Sequence, residues 1–320
     1  MRLDIVYINK NTIEMKRTLL LSKILLLIAA GLVSINVNAY NRSVYRGHHT
    51  TINHFLTVGA SAGYSNLIEN YHDLATVGTI GGLAGIGYEM RINEHFYWSL
   101  GAEVQWVKAN ATYELARQNM PIIDTQGKPA TMYYQFDPLT EYQRIMYVQV
   151  PVMVGYYHRG FYVGAGAKVG LPVLSGAHQV GSYTTSVVYN EYVGEFGGIP
   201  EHGYGKFTLD KEEKLDAKIK VSLAAEIGYD VLSAYRRVNS GARHGLRIAA
   251  VCEYGLTNIV GVKKVPGSVF NVDPDDATVV SVTPYYSTRS ISGHFVNNLY
   301  AGVKLTWTCD FSRTPCDCDE

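Results

Sequence analysis

The sequence predicts an all-β protein: a transmembrane antiparallel up-and-down barrel of eight strands, with short turns at one end and long loops at the other. Three observations predict it. Eight stretches alternate apolar with polar or small residues at period two, which sends successive side chains to opposite faces of a strand. The apolar face carries no charge where the alternation is clearest, and aromatic residues gather at its two ends. The totals agree, since 47% of the 320 residues are hydrophobic and only 18% charged, with 31 Gly and 25 Tyr. Such a balance suits strands and aromatic belts better than helices. Lys plus Arg and Asp plus Glu both number 28, so no basic surplus points to nucleic acid.

Lys16, Arg17 and Lys23 precede an apolar run at 24–33, and Val37-Asn38-Ala39 follows. Residues 1–39 therefore read as a secretory signal peptide, and initiation at Met15 would give it a more usual length. The run is too short for a membrane helix, which needs about 20 residues. The absence of a Cys after the cleavage site argues against a lipid anchor. The barrel is expected over 40–308, with strands at 54–64, 79–91, 96–108, 145–157, 161–173, 217–231, 246–256 and 295–307. Each is long enough for a tilted crossing of about 9–11 residues. The connections at 93–94, 158–160 and 233–244 are the shorter set, and those at 65–78, 109–144, 174–216 and 257–293 are long. Within the third long loop, 178–192 and 203–209 read as a hairpin. In the wall it would make ten strands. Its Thr, Ser, Asn and Glu favour instead an extension of the fifth and sixth strands beyond the membrane.

The apolar face of the third strand is Phe96, Trp98, Leu100, Ala102, Val104 and Trp106, and that of the fifth is Phe161, Val163, Ala165, Ala167, Val169, Leu171 and Val173. An Arg or Lys on a lipid-facing position at mid-bilayer would cost about 2–4 kcal/mol. Tyr88, Phe96, Trp98, Tyr156, Phe161, Tyr229 and Trp307 lie near the short turns, and Tyr64, Trp106, Tyr254 and Phe295 near the long loops. They read as two interfacial girdles. A soluble lipocalin-like barrel alternates identically with its apolar face inward, but needs neither girdles nor this ending. The opposite face carries Glu89, Glu103, Lys168, Lys218, Lys220, Glu226, Asp230, Arg247, Glu253 and Lys304. Inside eight strands the space is only wide enough for side chains, so these charges are expected to pair and plug the lumen.

The closing stretch ends Tyr300-Ala-Gly302-Val-Lys-Leu305-Thr-Trp307. It is similar to the C-terminal signal by which bacterial outer-membrane barrels are recognised for insertion. With the strand order and alternation between Asn53 and Trp307, the chain resembles the bacterial outer-membrane β-barrel domain family, including PorT-like and OmpA-type barrels. The resemblance implies a Gram-negative outer membrane, contact with its lipid and, during biogenesis, contact with the barrel-insertion machinery. PorT-like members are associated with protein secretion, and OmpA-type barrels anchor the membrane or adhere to partners. No peptidoglycan-binding segment is seen after the barrel.

Residues 309–320 read as a periplasmic tail holding Cys309, Cys316 and Cys318, while Cys252 stands apart. A disulfide suits an oxidising compartment, and three Cys without a neighbouring His make an incomplete metal site. No catalytic, metal or cofactor site is expected. His158, His178, His202, His244 and His294 form no recognisable motif, the acidic turn at Asp273 lacks calcium-loop spacing, and Gly81, Gly82, Gly85 and Gly87 precede no phosphate-binding helix. The leading expectation is a structural or interaction protein that presents Tyr-rich loops to a protein partner. A small-solute or hydrophobic-compound channel, and a secretion component contacting partners through the tail, are the alternatives.

Overall fold

The computed structural model describes residues 52–69, 75–92, 95–123, 127–189, 202–232, 244–259, 270–273, 279–282 and 295–312. The predicted signal peptide, Cys316 and Cys318 lie outside them. In chain order the strands are β1 (Ile52–Glu69), β2 (Ala75–Ile92), β3 (Phe96–Tyr113), β4 (Gln118–Ile123), β5 (Pro129–Phe136), β6 (Leu139–His158) and β7 (Phe161–Tyr189). There follow β8 (His202–Glu213), β9 (Lys220–Asp230), β10 (His244–Gly255), β11 (Phe270–Val272), β12 (Val280–Val282) and β13 (Val296–Asp310).

Eight of them close into an antiparallel ring in the order β1, β2, β3, β6, β7, β9, β10, β13 and back to β1. The closing seam runs from Phe55 opposite Asp310 to Glu69 opposite Val296. Closure pairs every backbone edge of the ring, the condition for a strand structure to stand in lipid. Ile86, Phe96, Val154, Val163, Ile227, Val303 and Leu305 project outward and are half or more exposed, the arrangement of a barrel that spans a bilayer.

Among the described residues, the first three long connections are more strand than loop. β1 and β2 run on through most of 65–78, and β3, β4, β5 and β6 occupy most of 109–144. β7 runs for 29 residues. Its first part lies between β6 and β9, and its second between β5 and β8. The hairpin of the third long loop therefore forms, with Ala177 opposite Glu213 and Val187 opposite His202, but it stands beyond the ring. The wall stays at eight strands, and β4, β5, β8 and the far part of β7 make a crown at the loop end.

Two bulges mark the passage from wall to crown. In β7 Tyr147 of β6 faces Pro172 and Met146 faces Leu174, which leaves Val173 as the extra residue. Pro has no N–H to give a ladder and is at home in such a break. In β2 the four steps from Gly78 to Gly82 oppose only three of β3, from Ala109 to Trp106. Trp106 pairs with Met146, so both bulges sit at one height. Beyond the β7 bulge the inward set changes parity, from Tyr162 and Lys168 to Ala177, Gln179 and Tyr183.

At the opposite end β6 and β7 are joined through Arg159 and Gly160 alone, with φ of 51° and 89°. Two central residues at positive φ form the hairpin turn whose twist matches that of the strands. A Cβ on Gly160 would also lie 2.9 Å from the Tyr229 ring. Gly160→Ala is expected to lower folding stability by roughly 1–2 kcal/mol, and Arg159→Asn to leave it unchanged or higher, read from urea unfolding in detergent micelles.

Candidate functional site: a paired-charge lumen beneath a packed crown

Alternation along the ring strands sends the lumen charges into two stacked layers. In the layer nearest the turns, Arg247 of β10 grips Glu89 of β2 with two N–H donors, at 2.6 and 2.9 Å. Arg91 donates to the same carboxylate at 2.8 Å and reaches Asp230 at 3.6 Å. The Arg91 guanidinium lies 4.3 Å over the Phe55 ring and 4.1 Å over Tyr157, so its flat faces are covered as well. Two acids and two bases leave the layer neutral.

In the layer above, Lys168 of β7 bridges Glu103 at 2.8 Å and Glu253 at 3.3 Å. Lys220, fully buried, meets Glu253 at 2.5 Å and donates to the Gln105 carbonyl oxygen. Lys304 of β13 lies 3.6 Å from Glu103 and 3.4 Å from Glu226. Gln149, Gln105, Ser222 and Asn298 donate to the Glu103 and Glu253 carboxylates at 2.9–3.3 Å. Three acids and three bases again sum to zero. Each charge in the two layers thus has a counter-charge, and the Glu103 and Glu253 carboxylates have neutral donors as well; an unpaired buried charge would cost several kcal/mol.

Between the layers Tyr97 crosses the lumen over Gly155 and Gly164 and donates to Glu226 at 3.2 Å. A Cβ at Gly155 would collide with its ring, and one at Gly164 with its hydroxyl. Beside Glu103, Glu226 and Lys304 remains a cavity of about 60 Å³, edged by Gly59, Gly85 and Gly101. It has room for a few waters.

Above the charges the lumen turns apolar: Leu67, Val107, Ile145, Tyr147, Leu215, Ile259 and Val296 pack together, all nearly inaccessible. Glu141 follows, accepting from Gln143 at 2.7 Å and Gln179 at 3.0 Å. The crown then has a core of its own, in which Tyr113, Met132, Tyr134, Phe136, Leu139, Tyr183, Val187 and Leu209 meet Val280 and Val282 of the β11–β12 hairpin. On its surface Asp137, between β5 and β6, accepts from Lys206 at 2.6 Å and from the Ser182 hydroxyl. Those two hydrogen bonds hold its carboxyl below the usual carboxylate range. The latch is present at neutral pH and loosens as acid protonates Asp137.

Of the ten lumen charges expected from alternation, nine line these layers. The exception is Lys218, which lies exposed in the break between β8 and β9, because β9 does not begin until Lys220. Its place in the count of five bases is taken by Arg91, on the same face of β2 as Glu89 and missed at the predicted strand's last residue. The aromatic residues near the turns form a row: Tyr88 against Trp98 at 5.6 Å, Phe96 against Tyr156 at 5.2 Å, Phe161 against Tyr229 at 4.8 Å, and Trp307 stacked on His244 at 5.3 Å. Tyr88 is itself buried, under His54, Trp98 and Phe311. At the far end Tyr64, Trp106, Tyr254 and Phe295 are each between 41% and 47% exposed.

β13 continues to Asp310, so Cys309 belongs to the wall, opposite Leu56 and His244, rather than to a separate tail. Cys309 and Cys252 are free thiols. His178 meets Asp210 at 2.7 Å on the outer wall. Among the described residues no hydroxyl or thiol is hydrogen-bonded to that pair, and no group of three or more His, Cys, Asp and Glu could hold a metal ion.

No family model matches the sequence, and no curated protein does. Among solved structures the chain is similar to Neisserial surface protein A, at 9% identity over 78% of this chain and 95% of that one, with a TM-score of 0.28. It is similar also to Ail, the attachment invasion locus protein of Yersinia pestis, at 10% identity over 79% and 98%, with a TM-score of 0.25. The translocator domain of the autotransporter NalP from Neisseria meningitidis shares 7% identity over 88% and 96%, with a TM-score of 0.20. Likeness of this degree adds nothing to what the pairing pattern already establishes.

The layers predict an asymmetry between single and paired substitutions. Arg247→Met leaves the buried Glu89 and Asp230 with Arg91 alone and is expected to cost roughly 3–5 kcal/mol. Adding Glu89→Gln restores neutrality and should recover a measurable part of that loss in urea unfolding of the refolded protein.

Proposed function

We propose that the chain is an outer-membrane protein of structural or interaction type, its barrel an anchor closed to solutes and its crown the surface offered to a protein partner. The observation that carries this reading is β7, which passes unbroken from the wall into a crown with a hydrophobic core of its own. A core of Tyr, Phe, Met and Leu beyond the membrane holds the shape of a surface, which a channel does not need. Two neutral ionic layers and an apolar seal leave the lumen to serve stability. Lipid covers the apolar belt, and the barrel-insertion machinery handles the closing strand during biogenesis.

On this reading the turns face the periplasm and the crown faces the medium. Gly127, exposed between β4 and β5, has open space around it, and the turn at Arg159 lies at the other end. An epitope inserted after Gly127 should be labelled by antibody on intact cells, and one inserted after Arg159 only once the outer membrane is permeabilised. The opposite pattern, or labelling of neither after permeabilisation, would overturn the assignment.

A further inference from the structure

Outside the barrel, at the height of the bulges, the outward residues of β2, β3, β6, β7 and β8 form three rows. The first is apolar, with Trp106 opposite Met146 and Met146 opposite Leu174. The second sets Lys108 directly opposite Arg144, and Arg144 opposite Gly176. The third runs Asn110, Tyr142, His178 and Glu212. Between them is an open groove of about 600 Å³ with Ile80, 78% exposed, on its β2 rim. Gly176 leaves the floor bare beneath Arg144, whose Nε lies 3.7 Å from where a Cβ would stand.

The second row is the anomaly. Like charges directly opposite on neighbouring strands destabilise a sheet. The neighbouring acids offset only the Arg144 side of it. Glu212 takes Arg144 at 3.0 Å and Asp210 takes His178 at 2.7 Å. Lys108 has no acidic partner among the described residues. An anion between Lys108 and Arg144 would turn the repulsion into two charge-assisted contacts. The rows also say what kind of anion fits: its charge sits two residues above Trp106 and Leu174 on the same outward face, and so at the boundary where lipid tails end. That is the section of an anionic lipid seen from the side, with tails on the first row, phosphate on the second and hydroxyls against Asn110 and Tyr142 on the third.

We propose that this groove is a binding site for the phosphate of an anionic lipid head group in the leaflet on the crown side. The proposal rests on the barrel spanning a membrane, and the experiment separates the two. Trp106 reports on the site, since the only other tryptophans are Trp98 and Trp307, in the turn-end row. With Trp98→Phe and Trp307→Phe in the full chain, Trp106 fluorescence is measured in bilayers mixing brominated phosphatidylglycerol or brominated phosphatidylcholine with the unbrominated lipid. The anionic lipid should be preferred at Trp106 by roughly fivefold or more. Lys108→Gln with Arg144→Gln should bring the ratio to about one. Lys108→Gln alone, which breaks no ion pair, should lower it in part, and Lys206→Gln in the crown should leave it unchanged. Equal quenching by both lipids in the parent, or a preference that survives the double substitution, would overturn the site while leaving the barrel in its membrane. Quenching by neither lipid would overturn the membrane-spanning reading beneath it.

Discussion

The width of an eight-stranded ring constrains everything else in this molecule. Its interior holds side chains and little water, so each inward charge is in effect buried on folding and must find a counter-charge there. The protein meets that demand twice, in a turn-end layer built on the Arg247–Glu89 fork and in a middle layer built on Lys168 and Glu253. Because each layer is neutral by itself, neither relies on charge transfer across the other. Hydrogen bonds from Gln105, Gln149, Ser222 and Asn298 use acceptor sites that the ammonium groups leave open. The layers draw on six of the eight ring strands, β2, β3, β7, β9, β10 and β13, and so act as cross-ties.

The bulges account for the change of character along the barrel axis. One extra residue in β7 exchanges its inward and outward sets, so the same strand serves a lipid-facing wall on one side of Val173 and a soluble core on the other. The second bulge, in β2, releases that strand at the same height. Beyond them β4, β5 and β8 add to β7, and the β11–β12 hairpin closes over their inward side. The crown is therefore an outgrowth of the sheet rather than a set of loops laid upon it. The cationic row of Lys108 and Arg144 stands where the two regimes meet.

Much of this was legible from period two alone. The ring strands, their faces and eight strands rather than ten follow from alternation and from the polar dilution of the hairpin after Val173, and the structure has all three. What alternation could not supply was anything that depends on register between strands. Arg91 and Lys218 exchanged roles because each lies at a predicted strand end, where one residue decides between lumen and solvent. The β4–β5 hairpin reads as loop in the sequence because Pro121, Pro129 and Pro138 punctuate it, although its Thr, Met and Tyr residues alternate well enough to bury Met132 and Tyr134. The Lys108–Arg144 neighbours are 36 positions apart in the chain and become a pair only once β3 and β6 are aligned.

Whether the paired charges close the lumen is decided by single-channel recording of the folded, purified protein in a planar bilayer. A silent membrane is expected at neutral pH, with folding verified by the slower gel migration of the boiled sample. Stable, uniform openings in most insertions would contradict it, and would mean that water and ions pass the two layers and the apolar seal above them.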